Sequence, residues 1–326
     1  MHALIRILRA AATGAGAMLL ATAALATYPD KPIKLIVPYA PGGITDNLAR
    51  ALADGIGREL KQPIIVDNRA GAGAMVGTGA AARSPADGYT ILMASNGNMT
   101  VTPLVTKKLN YDPIRELRVI SIVAEVPTVV VTNLQTPISD LHGLAAYGKA
   151  NEGKLNFASL GQGNVTYLTG KKIESELGIR MTEVPYKGSV PALTALMSND
   201  VQLYVDVLPG ALPFIQAGKL KALAVPMDKR IPWLPDTPTL QEAGYSKFHA
   251  ASWLGLAVPS GTPADVVAAL QQATARFVRD EKFRATFTKA GILMLTPMEA
   301  GQVDEYVKAD RDRWGALIRE HNISID

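Results

Sequence analysis

The stretch IKLIVPYAPGGITDNLARALA, residues 33–53, has the pattern of a strand, a glycine turn and a helix. Four of its first five residues are apolar, as a strand buried in a parallel sheet requires. The prolines and glycines of residues 38–43 permit a tight turn, and Thr45 or Asp46 can cap the helix that follows. The inward face of that helix is an apolar stripe spaced by four residues: Leu48, Leu52, Ile56 and Leu60. The stretch therefore predicts one strand–turn–helix unit of an α/β sheet.

This turn can also hold an anion. A helix that starts just past the carboxyl end of a parallel strand directs unpaired N–H groups and a partial positive charge at one point, where open α/β sheets bind ligands. Similar polar turns follow strands at residues 41–46, 95–98, 161–164 and 186–189, and Asp206 ends a further strand. One such turn is more often structural, but together they predict a cleft between two sheets, with helix N-termini around an anion.

The composition indicates a folded protein of one large or two medium domains. The chain has 326 residues, of which 48% are hydrophobic and 19% are charged. Its net charge of +4 is mild and its Lys and Arg residues are scattered, so nucleic acid is not an expected partner. Because the chain contains no cysteine, disulfides, zinc thiolates and a cysteine nucleophile are excluded.

Residues 1–26 form a separate leader segment. Arg6 and Arg9 precede a run of small and apolar residues, and Ala24-Leu25-Ala26 fits the cleavage pattern of a signal peptide. A membrane anchor is the alternative, but this apolar run is short and weakly hydrophobic for a bilayer span. We expect export to the periplasm with cleavage near Ala26.

The rest of the chain alternates strands with helices in two halves. This pattern predicts an α/β protein with a mainly parallel sheet, flanked by helices, in each half. Two strands cross between the halves, one within residues 117–131 and one at residues 252–258. We therefore expect lobe 1 to contain residues 27–127 and 252–326, and lobe 2 to contain residues 128–251.

Three further patterns predict local details. Apolar and polar residues alternate at 201–206, which is typical of a half-buried strand. Ser139 is expected to cap a helix over residues 140–150, and Thr296-Pro297 is expected to start the last helix of the chain.

Catalytic and metal sites have little support in the sequence. His142, His249 and His321 lack metal-ligand spacing, and the glycine-rich residues 71–77 miss the dinucleotide-binding spacing by one residue. Ser159 follows a strand in a context that faintly resembles the nucleophile elbow G-x-S-x-G, although the first glycine is replaced. We expect no cofactor and no metal, and the enzymatic alternative is a secreted hydrolase that uses Ser159.

An ordered series of short motifs runs along the mature chain. The series is Tyr28-Pro29, Ile36-Val37-Pro38, Pro41-Gly42-Gly43 with Asp46, Asn68-Arg69-Ala70-Gly71-Ala72-Gly73, Pro85-Ala86-Asp87-Gly88-Tyr89-Thr90, Gly161-Gln162-Gly163, Val184-Pro185-Tyr186-Lys187-Gly188, Ala217-Gly218-Lys219-Leu220, Leu234-Pro235-Asp236-Thr237-Pro238-Thr239 and Pro259-Ser260-Gly261-Thr262-Pro263. Each motif is weak alone, but their order resembles the extracytoplasmic substrate-binding receptors of tripartite tricarboxylate transporters, also called Bug receptors.

The resemblance implies a two-lobed, flytrap-like periplasmic-binding-protein fold of type II, without catalysis. Such receptors bind mostly small carboxylates, holding one carboxylate with backbone amides of the first turn, partly through bridging waters. The implied partners are a small organic carboxylate and the membrane permease subunits of such a transporter, and a monomer is expected. A sensor that presents its liganded form to a signalling partner is an alternative, because both would use one closed state.

The resemblance also implies ligand contacts in both lobes. In lobe 1 they are Ala40, Pro41, Gly42, Gly43, Ser95 and Asn96, with Asp46 of the same motif added. In lobe 2 they are Gly161, Gly163, Asn164, Tyr186, Lys187 and Asp206.

Asn164 and Tyr167 stand where the family often has serine and histidine. They lie three apart on a predicted helix and so share roughly one face. If that helix borders the cleft, Tyr167 and Tyr186 would form an aromatic wall, and we therefore hypothesise an aromatic carboxylate as ligand. The alternative is that Tyr167 packs in the core of its lobe.

Overall fold

The computed structural model describes residues 28–161 and 163–324, so the predicted leader and Gln162 lie outside the described part of the chain. Two strand–helix units come first, followed by a strand that leads into a short helical segment. These elements are β1 (Ile33–Val37), α1 (Ile44–Leu60), β2 (Ile64–Asn68), α2 (Met75–Ala82), β3 (Thr90–Ser95), the π-helical turn Gly97–Val101 and α3 (Thr102–Val105).

The remaining elements continue the alternation of strands and helices. The middle of the chain forms β4 (Leu117–Thr132), α4 (Leu141–Ala150), β5 (Asn156–Ser159), α5 (Val165–Leu177), β6 (Thr182–Pro185), α6 (Ser189–Met197), β7 (Leu203–Val207), α7 (Leu208–Gln216) and β8 (Lys221–Ala224). The last part forms β9 (Ala251–Pro259), α8 (Ala264–Phe277), α9 (Glu281–Lys289), β10 (Leu293–Met294) and α10 (Ala300–Glu320). Neither α9 nor β10 is predicted by the sequence patterns. None of the helices in the described ranges combines the length and apolar character that a membrane span requires.

The predicted α/β fold is confirmed, but its sheet is mixed. The strand order is β2-β1-β3-β9-β4-β7-β5-β6, with β10 and β8 also paired to β4. The parallel pairs are those of β1 with β2 and β3, and of β5 with β6 and β7. The pairs of β9 with β3 and β4, and of β4 with β7, are antiparallel, because β4 and β9 carry the chain between the lobes in opposite directions.

The crossing strands define the boundary between the lobes. The first part of β4 pairs with β9 up to the Pro127–Ala251 position, and from Thr128 onward β4 pairs with β7. At this boundary the backbone N–H and the hydroxyl of Thr128 both donate to the carbonyl of Ala250, at 3.2 and 2.7 Å. Lobe 1 therefore holds β1–β3, β9, β10 and the first part of β4, and lobe 2 holds β5–β8 and the rest of β4.

Each lobe has its own apolar core. The predicted stripe of α1 packs on β1, where Leu48, Leu52 and Ile56 are at most 1% exposed. In lobe 2, Phe157 of β5 packs with Leu168 of α5 and with residues of α4. Burial of such side chains stabilises a fold by about 1.5–3 kcal/mol each.

Helix α10 contacts both lobes. Val303, near its start, packs in lobe 1, whereas Trp314, Leu317 and Ile318 pack with the core of lobe 2. Its 21 residues span about 30 Å, enough to reach both cores. The end of this helix packs in a cluster that also contains Val101 and Val105 of lobe 1, and the assignment of residues 252–326 to lobe 1 stays a prediction.

Several expected element ends shift. Gly43, rather than Thr45 or Asp46, is the N-cap of α1, and Asp140, rather than Ser139, caps α4 by accepting from the Gly143 N–H. The last helix begins after Glu299 with a capping box instead of at Thr296-Pro297. Strand β7 is buried on both faces instead of half-buried, because it lies inside the sheet and α6 and α7 pack beside it.

Candidate functional site

A cavity of about 240 Å³ lies between the two lobes. Lobe 1 lines it with Tyr39, Thr45, Gly73, Ser95, Asn96, Gly97, Thr102, Ser252 and Leu254. Lobe 2 lines it with Gly163, Asn164 and Val165 at the start of α5. None of these described lining residues carries a charge. Two larger grooves, of about 520 and 660 Å³, lie elsewhere on the protein. Each is lined by lobe 1 alone, so a ligand bound there would not contact both lobes.

The first turn connects two residues of the cavity wall, Tyr39 and Thr45. Ala40, Pro41, Gly42 and Gly43 are exposed, and none of them lines it. The N–H of Gly42 donates to the Asp46 carboxylate at 2.9 Å, so it is not free for a ligand as expected. Thr45, in the first turn of helix α1, lines the cavity instead. The first helical hydrogen bond runs from Asn47 N–H to Gly43 O, which leaves the preceding N–H groups of α1 without helical acceptors.

Asp46 positions this turn through the hydrogen bonds of its carboxylate. It is 2% exposed and accepts from Gly42, from Arg50 Nε at 3.0 Å and from Asn68 Nδ2 at 2.8 Å. Burial opposes its ionisation, but these hydrogen bonds and the Arg50 charge together hold the pKa of Asp46 below its usual value. Asn68 also donates to the carbonyl of Tyr39 at 3.2 Å, which ties the turn to β2.

The second turn supplies predicted residues that do line the cavity. Ser95 Oγ lies 2.7 Å from the hydroxyl of Tyr39, and Asn96 donates its amide to the carbonyl of Ala251 at 2.9 Å. A Cβ on Gly97 would lie 3.0 Å from Tyr39 Oη and 3.2 Å from Ser95 Oγ, so a larger residue here would press on both hydroxyls. Burial raises the pKa of Tyr39, which therefore stays a neutral phenol.

The third turn carries the contribution of lobe 2. Asn164 caps α5, where its Oδ1 accepts from the N–H and the hydroxyl of Thr166, both at 2.9 Å. Gly163 lines the cavity beside it, whereas Gly161 does not. Gly161 has a φ of +96° and donates its N–H to Ser159 Oγ at 3.1 Å.

Tyr186, Lys187 and Asp206 do not line the cavity. Tyr186 is half-buried against the core of lobe 2, and Lys187 is exposed. Asp206 is fully buried and accepts from Ser189 Oγ at 2.5 Å, from the Tyr204 hydroxyl at 3.1 Å and from its neighbour's N–H at 2.8 Å. Burial raises the pKa of Asp206 to about 6 against the effect of these hydrogen bonds. Internal hydrogen bonds thus engage both carboxylate oxygens of Asp206, and its contact with a ligand stays a prediction.

Tyr167 lies in the core of lobe 2. It is 7% exposed, and its ring centroid is 6.3 Å from that of Phe157. Asn164 lines the cavity from the N-cap, but Tyr167 lies within α5 and packs in the buried cluster of lobe 2. The structure therefore contains the core packing given above as the alternative, and the aromatic wall that motivates an aromatic ligand is absent from the described lining.

The candidate catalytic groups are held in structural contacts. Ser159 is fully buried and donates to Glu183 Oε1 at 2.5 Å. His249 lies between Glu125 and Asp228, with both ring nitrogens 3.2 Å from a carboxylate oxygen, and His142 packs beside Tyr245. In the described ranges, no group of three or more histidine and acidic side chains could hold a metal ion.

The sequence patterns miss much of the cavity wall. Tyr39, Thr45, Gly73 and Thr102 come from loops and helix starts of lobe 1, and Ser252 and Leu254 come from β9. Tyr39 lies two residues after the end of β1, and this position just past a strand is the one local signal for it. The contribution of β9 has no local signal, because it depends on pairing with β3, more than 150 residues earlier.

A family model and a relative of known sequence both match most of this chain. The family described as "Tripartite tricarboxylate transporter family receptor" matches residues 48–323. Protein BugT of Bordetella pertussis is 34% identical over 297 residues, covering 90% of each chain.

Two solved structures are similar in sequence and fold. An R. palustris protein determined with adipate is 29% identical, with a TM-score of 0.80, 91% of this chain covered and 99% of the other. MatC from Rhodopseudomonas palustris, determined with bound malate, is 31% identical, with a TM-score of 0.77 and coverage of 89% and 100%.

Proposed function

This chain belongs to the tripartite tricarboxylate transporter receptor family, and we propose that it is an exported receptor for a small organic carboxylate. It captures the acid in the cavity between its lobes and delivers it to the permease subunits of a tripartite transporter. The observation that carries this proposal is a small, uncharged cavity lined by the N-terminal turns of helices from both lobes.

Neutral donors can hold a carboxylate in such a cavity. The first N–H groups of α1 lack helical acceptors, and a helix N-terminus carries a partial positive charge. From the other lobe, Asn164 uses its Oδ1 to cap α5, which leaves its amide nitrogen as the end available to a ligand. The relatives determined with adipate and with malate support a carboxylate as the ligand class.

Closure would couple capture to delivery. A ligand that touches both lobes gains its full set of contacts only when they close, so binding favours the closed form. The crossings at Thr128 and Ala250 are the positions where this motion would occur. No catalytic step is proposed, because Ser159 is fully buried and bonded to Glu183.

The test is a thermal-shift and calorimetry screen of refolded, ligand-free protein. The panel contains mono-, di- and tricarboxylates of three to six carbons, with glucose and glycerol as uncharged controls. We expect saturable stabilisation by at least one acid, worth about 2.7 kcal/mol at 100 times its dissociation constant, with the acid recovered unchanged. If no acid stabilises the protein, or if a bound acid is converted, the proposed function is wrong.

A further inference from the structure

Two backbone groups determine the orientation of the Asn98 side-chain amide, because one of them can only donate and the other can only accept a hydrogen bond. The backbone N–H of Ser95 donates to Asn98 Oδ1 at 2.7 Å, so that atom is the amide oxygen. Asn98 Nδ2 lies 3.4 Å from the carbonyl of Met93, which only accepts, and 3.0 Å from Thr78 Oγ1. Asn98 is fully buried, so no solvent competes for these bonds.

This orientation determines where two hydroxyl protons lie. Ser95 Oγ is 3.0 Å from Asn98 Oδ1, which cannot donate, so the Ser95 hydroxyl donates to it. Tyr39 Oη is 2.7 Å from Ser95 Oγ, whose only proton is already engaged, so Tyr39 donates to Ser95. Ser95 Oγ also accepts from the Asn98 N–H at 3.4 Å. Tyr39 and Ser95 both line the cavity, and neither has a proton left for a ligand.

A third hydroxyl of the cavity wall has its proton engaged as well. Thr102 Oγ1 donates to the carbonyl of Gly73 at 3.2 Å. The lone pairs of Tyr39 Oη and Thr102 Oγ1 therefore remain as acceptors. A carboxylate, which only accepts, cannot pair with either oxygen.

The donors of the cavity lie elsewhere on its wall. They include the Asn164 amide nitrogen and the first N–H groups of α1 near Thr45, and the hydroxyls of Thr45 and Ser252 can turn either to donate or to accept. The wall thus has a donor region suited to a carboxylate and an acceptor region that requires a proton from the ligand. A ligand without such a proton would leave a buried acceptor unpaired.

We propose that this cavity selects hydroxycarboxylates, because the ligand hydroxyl donates to Tyr39 Oη while the carboxylate meets Asn164 and the start of α1. The inference rests on the proposed function and specifies its substrate class. A hydroxyl fits better than an ammonium group, because none of the described lining residues is acidic and an ammonium group would be buried without a counter-charge.

The first test compares pairs of acids that differ by one hydroxyl, on the wild-type protein. The pairs are malate and succinate, lactate and propionate, citrate and tricarballylate, and 3-hydroxybutyrate and butyrate; aspartate is the ammonium counterpart of malate. In every pair that binds, calorimetry should show the hydroxy acid binding about fivefold or more tightly, the effect of one net hydrogen bond.

The second test changes the acceptor. Tyr39→Phe removes the oxygen, so the affinity for the hydroxy acid should fall about fivefold while that for the plain acid is unchanged. Ser95→Ala frees the Tyr39 proton to turn toward the ligand, so the plain acid should gain affinity and the preference should fall toward one. Tyr147→Phe, on α4 and outside the cavity wall, is the matched control and should keep the wild-type preference.

The outcomes separate this inference from the proposed function. If succinate, propionate, tricarballylate or butyrate binds as tightly as its hydroxy partner, the selectivity is wrong and the carboxylate receptor stands. The same conclusion follows if Tyr39→Phe weakens both acids of a pair equally, or if aspartate outcompetes malate. If none of the acids binds, both the proposed function and its substrate class are wrong. The wild-type comparison decides the question even if a variant fails to fold.

Discussion

At the scale of single residues, Asp206 is a carboxylate whose burial costs stability at neutral pH. Its pKa is raised to about 6 in the folded chain from the ordinary aspartate value of 3.8, because burial disfavours its charge. Because the pKa is higher in the folded than in the unfolded chain, the protonated carboxyl group favours the folded state. This contribution to the free energy of unfolding is complete below about pH 3.8 and is lost as the pH rises through about 6. The difference corresponds to about 3 kcal/mol.

We therefore expect Asp206→Asn to stabilise the protein at pH 7.5, by about 1–3 kcal/mol. The amide removes the buried charge, its oxygen can still accept a hydrogen bond, and the Ser189 hydroxyl can accept from its nitrogen. Denaturant unfolding at pH 4 and pH 7.5 measures the effect, which should be smaller at pH 4. The exposed Asp236→Asn is the control and should change stability little at either pH. A destabilised Asp206→Asn at pH 7.5 would show that the Ser189 and Tyr204 hydrogen bonds outweigh the desolvation of the charge.

At the scale of elements, α10 connects the lobes through side chains at its two ends. Trp314 is fully buried in lobe 2, packs edge-on against Phe248 at 5.5 Å, and donates to Asp310 at 3.0 Å. Trp314→Ala should therefore lower the free energy of unfolding by about 3–5 kcal/mol. Trp233→Ala, at a half-buried tryptophan bonded to the Thr288 carbonyl, should cost clearly less. Equal losses in chemical denaturation would contradict the role of α10 as a connection between the cores.

At the scale of the whole molecule, the sheet of the described strands passes from one lobe to the other within β4, which pairs with β9 in lobe 1 and with β7 in lobe 2. This narrow connection favours a hinge, and we expect ligand to draw the lobes together. Small-angle scattering should give a smaller radius of gyration at saturation with the tightest-binding acid of the panel than with glucose. An identical radius in both samples would contradict closure.

Local patterns determine the elements and the family of this protein. The stripe spaced by four on α1, the glycine turn before it and the order of short motifs are properties of neighbouring residues, so the α/β fold and the crossing strands could be predicted from them. The polar turns at residues 95–98 and 161–164 were predicted from their places at strand ends, and Ser95, Asn96, Gly163 and Asn164 of these turns line the cavity.

Only the tertiary structure decides which polar groups are available inside the cavity. Gly42, Asp46 and Asp206 have the chemistry of ligand contacts, but internal partners engage them, and Tyr167 turns into the core. Ser252 and Leu254 reach the wall because β9 pairs with a strand far away in sequence. The Tyr39 hydroxyl donates to Ser95, and the Ser95 hydroxyl donates to Asn98 Oδ1. The Asn98 amide is itself oriented by its contacts with the Met93 carbonyl and the Thr78 hydroxyl. A sequence lists donors and acceptors, but their capacity for a ligand depends on which of them folding has already paired.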